Sequence, residues 1–416
     1  MTGAGSTART TLDEVVRAEF GRIVAGLAGR FGDLDLAEDM AQEAVTEALR
    51  RWPQEGVPPN PAAWLTLTAR NRAIDRLRRE SSRQRRHEEA HAMISSDVPG
   101  HRGDLSDVIA TSQLTDDRLQ LIFTCCHPAL APEAQVALTL RLLGGLTVPE
   151  IAAAFLIEER ALAQRITRAK RKIAAANIPY RVPDDHELPE RLDVVLTVLW
   201  LVFNEGYLPR GSAGERAELV DEAIRLTEVL ADLMPDHPEV WGLLATMLLT
   251  RARGAARVVD GVLVPLPEQD RARWDRSAIA RGHALVRRCL QENRPGPHQL
   301  LAAINAVHTD APTAGDTDWA QIVALYDQWL ALAPTPVVEL NRAVAVAELS
   351  GPAEGLRLVD ALHLEGYHAW HVTRAELLRR LDRPAEAREA YLRALGTAVA
   401  PAERAHLERR VAELGR

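Results

Sequence analysis

Cysteine is nearly absent from this chain. Three thiols, Cys125, Cys126 and Cys289, stand in 416 residues. The first two are neighbours whose bridge would be strained, so no disulfide framework is expected, and the composition suits a reducing compartment. Long hydrophobic runs are missing as well. The longest, Val194 to Phe203, is too short to span a bilayer. The opening MTGAGSTART has no apolar core of a secretory signal. A cytoplasmic protein without membrane contact is the expectation. Aromatic residues make up only 4%, and period-two alternation is scarce, which argues against β-sheet. Catalytic signatures are lacking: there is no HExxH, no GxSxG and no Walker lysine. FNEGY, Phe203 to Tyr207, has a single glycine and no following Gly-Lys-Ser/Thr, so it is no phosphate loop. The chain is therefore read as a non-enzyme. CCHP, Cys125 to Pro128, has no second ligand pair at finger spacing. His368 and His371 lie one turn apart with Glu376 nearby, but packing or surface roles account for them. No metal and no cofactor is expected.

Alanine, leucine and arginine are abundant, and apolar residues recur at steps of three and four, so the fold class is all-α. The formal net charge is −8, from 50 basic and 58 acidic residues, but it is unevenly placed. From Asp33 to Glu43 every charge is acidic; from Arg70 to Arg86 eight arginines face only Asp75 and Glu80. Such local fields persist whatever the sum. A helical block over 12–80 is followed by a polar segment of little periodicity, read as a flexible linker over 81–114. A second block spans 115–180. The prolines of NIPYRVPDDHELP, Asn177 to Pro189, mark a boundary. From 187 to 416 the pattern is helical again and partly repetitive. Pro-Ala-Glu recurs 32 residues apart, at Pro352 and Pro384, a period that fits stacked helix pairs. LLRRLDRPAEAREAYLRAL, Leu377 to Leu395, resembles a tetratricopeptide repeat. Glu190 to Arg210 is apolar on nearly all sides and predicts a central buried helix. DGVLVPLPEQDRARWD, from Asp260, breaks the helical run and predicts a long hairpin loop.

The densest signal is LTVPEIAAAFLIEERALAQRITRAKRKI, Leu146 to Ile173. Thr147 and Glu150 form a capping box, and the helix they open buries Ile151, Ala152 and Phe155. A second helix starts near Glu158 or Glu159. Its Leu162, Ile166, Ala169 and Ile173 share one face. Arg160, Gln164, Arg165, Arg168, Lys170, Arg171 and Lys172 lie around the remainder. Arginine can bond a guanine edge and glutamine an adenine edge in the major groove, while other cations hold phosphates. The alternative is a solvated basic face.

This helix-turn-helix resembles the promoter-reading C-terminal domain of bacterial sigma factors of the extracytoplasmic-function (ECF) type. It departs from that pattern at Leu156, where glycine is usual, and at Arg160 and Ala161, where small and hydroxyl residues are common. The preceding block extends the resemblance over roughly residues 12–180. DLDLAEDMAQEAVTEALRRW, Asp33 to Trp52, is similar to the family's helix that grips the polymerase clamp. Leu36, Met40, Ala44 and Ala48 form its apolar stripe, and Asp35, Glu38, Asp39, Gln42 and Glu43 are its polymerase-facing candidates. NPAAWLTLTARNRAIDRLRRE, Asn60 to Glu80, resembles the −10 element reader. Leu67, Ile74 and Leu77 are its expected seam. Trp64, Thr68, Arg70, Asn71, Asp75, Arg76, Arg78 and Arg79 are its DNA-contacting candidates, with unpaired bases stacking on Trp64. PQEGVPPNP, Pro53 to Pro61, lies where the family captures a flipped base. The resemblance implies core RNA polymerase (clamp and flap) and promoter DNA as partners, with the helix-turn-helix on the −35 element. The extension resembles that of the sigma-factor group with a C-terminal tetratricopeptide-like domain. Such a domain implies control of activity, through an unknown protein or a small-molecule ligand. The alternative is a one-component helix-turn-helix regulator with a tetratricopeptide-like sensor domain, which would need no polymerase core.

Overall fold

A computed structural model describes residues 3–92, 111–155, 157–207, 217–398 and 400–415 of the chain. The expected turn residue Leu156, most of the expected linker (93–110), and Leu208 to Arg210 lie outside the described residues. Helices dominate, as expected. Contacts divide the chain into two compact units, one of Met1–Ala153 with Ile157–Val198, the other of Ala154–Leu156 with Leu199–Arg416.

The first unit is built from α1 (Gly3–Phe31), α2 (Leu34–Glu55), α3 (Pro61–Ala92), α4 (Thr111–Cys125), α5 (Pro132–Leu138), α6 (Val148–Phe155), α7 (Glu159–Ala175) and the first part of α8 (Leu188–Tyr207). Sequence chemistry sets the helix starts. The Asp33 carboxylate accepts from the Asp35 and Leu36 amides to open α2, and Asn60 Oδ1 accepts from Ala63 N one residue before Pro61 begins α3. α2 continues through Pro53 to Glu55, so the expected loop shrinks to residues 56–60. α3 continues to Ala92 and α4 begins at Thr111, which narrows the expected linker from both ends. α1 packs on α2, α3, α4 and on a π-helical turn, Thr139–Leu143, that prolongs α5. Gly21 permits that last approach, because a Cβ there would sit 2.6 Å from the Leu143 carbonyl oxygen. Residues 12–80 and 115–180, which read as separate domains in sequence, thus pack into one unit.

The α2 stripe of Leu36, Met40, Ala44 and Ala48 is buried as expected. The expected α3 seam is not. Leu67 is 57% exposed and Leu77 38%, while Leu65, Ala69 and Ala73 are fully buried. α2 offers α3 and α1 a small-residue surface, Ala37, Ala41, Ala44 and Ala48. Alanine on α3 fits such a close approach, and the bulkier leucines turn outward.

The second unit holds the rest of α8, then α9 (Ala217–Leu233), α10 (Pro238–Arg251), α11 (Gly254–Arg257), α12 (Arg276–Glu292), α13 (Pro297–Asp310), α14 (Trp319–Leu332), α15 (Pro336–Ser350), α16 (Pro352–Asp360), α17 (His368–Arg380), α18 (Pro384–Thr397) and α19 (Pro401–Glu413). From α13 onward each helix packs on the next. The repeated Pro-Ala-Glu opens α16 and α18, with Pro352 and Pro384 at their first positions. Much of α8 is buried, although Leu201 is 41% exposed. The expected hairpin loop contains two short strands, Val258–Val259 and Val262–Leu263, paired antiparallel. Asp260 and Gly261, both at positive φ, form their turn, as Asp-Gly does in two-residue hairpins.

Candidate functional site

The helix-turn-helix is assembled by local chemistry. Glu150 Oε2 accepts from the Thr147 amide at 2.6 Å, and the Thr147 hydroxyl accepts from the Glu150 amide at 3.4 Å. This closes the expected capping box on α6. Ile151 and Ala152 are buried beneath it and Phe155 is half-buried. On α7, Leu162, Ile166, Ala169 and Ile173 are all buried. The opposite face is open. Arg160, Gln164, Arg168 and Arg171 are exposed and line one shallow concavity with Ala163 and Thr167. Arg165 is half-buried, and Lys172 is exposed with its ammonium donating to the Ala129 carbonyl.

Lys170 behaves differently from its neighbours. Its side chain is 8% exposed and lies against α2. Nζ donates to Asp35 Oδ1 at 2.7 Å and also meets Glu38 Oε2. Glu38, itself 8% exposed, accepts from Arg141 Nε at 2.5 Å and from Gln42 Nε2 at 2.6 Å. The π-helical turn carries Arg141 into this cluster, and its Nη1 is tied to the Leu146 carbonyl at 2.8 Å. Burial alone would push the Lys170 ammonium down. The Glu38 charge and the hydrogen bonds to Asp35 and Glu38 outweigh it, so its pKa is raised. Lys170 and Lys172 are the only lysines in the chain. Sequence placed Lys170 on the DNA face; it belongs to a buried ion cluster between α2 and α7. Its position one residue after buried Ala169 was the available signal, and Arg141 gave none.

All five candidates on α2 therefore meet groups of the same unit. Asp35 and Glu38 meet Lys170, Gln42 meets Glu38, Asp39 Oδ2 pairs with Arg76 at 3.1 Å, and Glu43 Oε2 with Arg72 at 2.9 Å. On α3, Asn71, Asp75, Arg78 and Arg79 are exposed, and Thr68, Arg70 and Arg76 are half-buried. Arg79 Nε donates to the Asp75 carbonyl. Trp64 is half-buried, its ring 5.6 Å from that of Trp52 in an edge-to-face contact.

The other candidates resolve into packing. Cys125 and Cys126 are buried, and burial pushes the Cys126 thiol up to about 12. His371 bonds the Glu365 carbonyl, and His368 faces Thr397 and Glu403. Glu376 accepts from Tyr391 and Arg379. Among the described residues there is no group of three or more metal-ligating side chains, and no helix is long and apolar enough to cross a membrane.

Three family models match the chain. Residues 16–83 match Sigma-70 region 2, residues 120–173 match Sigma-70, region 4, and residues 191–290 match a family of unknown function, DUF6596. Uncharacterized protein R00370 of Rhizobium meliloti (strain 1021) is 44% identical over 381 residues, which cover 91% of this chain and 89% of that protein. Probable ECF RNA polymerase sigma factor SigI of Mycobacterium tuberculosis, in strains CDC 1551 and H37Rv, is 27% identical over 179 residues. That match covers 40% of this chain and 60% of SigI.

Proposed function

This chain belongs to the ECF-like sigma factors, in one family with the Rhizobium meliloti protein, and from that we propose that it binds core RNA polymerase and selects its promoters. α7 reads the −35 element and α3 the −10 element. The observation that carries this reading is the open face of α7, where Arg160, Gln164, Arg168 and Arg171 stand together on a helix with an apolar back. That arrangement matches major-groove geometry, with base edges read by Gln164 and arginine and phosphates held by the flanking cations. On α3, Asn71, Arg78 and Arg79 are open to a single strand, with Trp64 at the end of the row. The polymerase supplies the chemistry of RNA synthesis.

The acidic face of α2 grips the polymerase clamp through Asp35, Glu38, Asp39, Gln42 and Glu43. Within the free protein, Asp35 and Glu38 already hold Lys170 and Arg141. Binding therefore exchanges partners: the carboxylates pass from α7 and the π-turn to basic groups of the polymerase, and α7 is released towards DNA. The C-terminal unit governs when that exchange occurs. Lysine-directed acetylation tests the exchange, because the chain has only two lysines. In free protein Lys170 is protected and Lys172 reacts. With core polymerase bound, Lys170 becomes reactive. If the protein does not associate with core polymerase, the whole reading fails; if it associates and Lys170 stays protected, the partner exchange alone fails.

A further inference from the structure

In the second unit two half-buried arginines, Arg253 and Arg271, have no carboxylate at ion-pair distance among the described residues. Arg253, at the end of α10, sends Nη2 to Asn305 Oδ1 on α13 at 2.8 Å, and its Nε is buried without a hydrogen-bond partner. Arg271, from the loop after the hairpin, lands one turn further along the same helix. Its Nη1 donates to the carbonyls of His308 at 2.7 Å and Ala311 at 2.5 Å. Its guanidinium lies 4.5 Å from the Trp274 ring. Arg257 adds a third cation, 4.4 Å from the Tyr207 ring and bonded to the Tyr207 carbonyl.

Among the described residues, neither Arg253 nor Arg271 has a carboxylate within ion-pair distance. Asp316 caps its own turn through Thr313 and acts on Arg271 only from beyond ion-pair distance. Asp270 accepts from the Ala272 amide, Asp275 caps α12, and Glu268 pairs with Arg410. Removing charge from water without a counter-charge is costly. The mutual repulsion is felt. Burial, then the charges of Arg257 and Arg271, lower the Arg253 pKa. Burial, then Arg253 and Arg271, hold His308 down to about 4. His308 therefore adds no positive charge near neutrality and offers a polar ring, edge-on to Trp319 at 5.3 Å.

We propose that Arg253 and Arg271 form a binding site in the C-terminal unit for a small ligand that carries an oxoanion group. Guanidinium forks match the paired oxygens of phosphoryl and carboxylate groups, and such an anion supplies the counter-charge that Arg253 and Arg271 have from no side chain within ion-pair distance. Arginine that served packing alone would be expected to carry a carboxylate partner, as Arg281 does with Glu228 at 2.5 Å. The inference names a ligand class for the control domain, but its geometry does not depend on the sigma-factor reading.

Titration of the full-length protein with inorganic phosphate, followed by calorimetry and thermal unfolding at matched ionic strength, tests it. A parallel titration with acetate separates phosphoryl from carboxylate preference. Saturable binding of either anion, with a concentration-dependent rise in melting temperature, is the expected result. Arg253→Met should abolish the effect, Arg253→Lys should weaken binding at least tenfold, and Arg281→Gln should leave it unchanged. If Arg253→Met does not fold, the lysine variant decides. Silence from both anions in the wild-type protein overturns the proposal, as does undiminished binding in the Arg253 variants.

Discussion

Removing the Glu38 carboxylate leaves buried Arg141 without its carboxylate and Lys170 with Asp35 alone. Glu38→Ala should therefore destabilise the first unit by about 3–5 kcal/mol, measured by chemical denaturation; a change below about 1 kcal/mol would mean the cluster is solvated in solution. On the reading face, Gln164→Ala should alter preference at one base position, by about 1–3 kcal/mol. Lys172→Ala should weaken all sites alike and reduce the salt slope by about one. Equal, uniform losses from both would assign the base-reading face to other residues. His308 gives a pH signature. Its folded pKa of about 4 lies below the ordinary histidine value of about 6.5, so the unfolded chain takes up the proton first as pH falls. The stability it leaves intact above about pH 6.5 is lost as pH falls towards 4, by at most about 3 kcal/mol. His308→Gln should remove that component from the pH dependence of unfolding.

At the scale of elements, Thr147 holds the start of α6, and Thr147→Ala should lower stability by about 1 kcal/mol. Gly21→Ala should do more, about 1–3 kcal/mol, because its Cβ would meet backbone of the π-turn rather than a movable side chain. Equilibrium unfolding checks both. Helices with strong periodicity were legible in the sequence. The α2 stripe, the α7 back and the capping box follow from local spacing and hydrogen bonding alone. The α3 seam is not legible from spacing, which favours large apolar residues as the buried ones; Ala69 and Ala73 are chosen by the small-residue surface of α2, a tertiary fact. The burial of Lys170 escapes the sequence for a related reason. A cation's burial depends on whether a distant carboxylate meets it, and Glu38 lies far away in the chain. The π-turn that delivers Arg141 has no pattern in the sequence, and the two short strands at Val258 and Val262 are too brief to alternate.

At the scale of the molecule, one chain joins two stretches that match sigma-70 regions to a helical unit with half-buried arginines. The first unit keeps the face proposed to read DNA open, while the carboxylates proposed to grip polymerase are held by α7 and the π-turn. On the proposed function, the two readers stay drawn together until polymerase takes over those carboxylates. Transcription by purified core RNA polymerase over a promoter library, with and without this protein, tests that claim most directly. The account predicts new transcripts that start downstream of templates sharing two common sequence elements, with the upstream preference altered by Gln164→Ala. A transcript profile identical to that of core polymerase alone would contradict it.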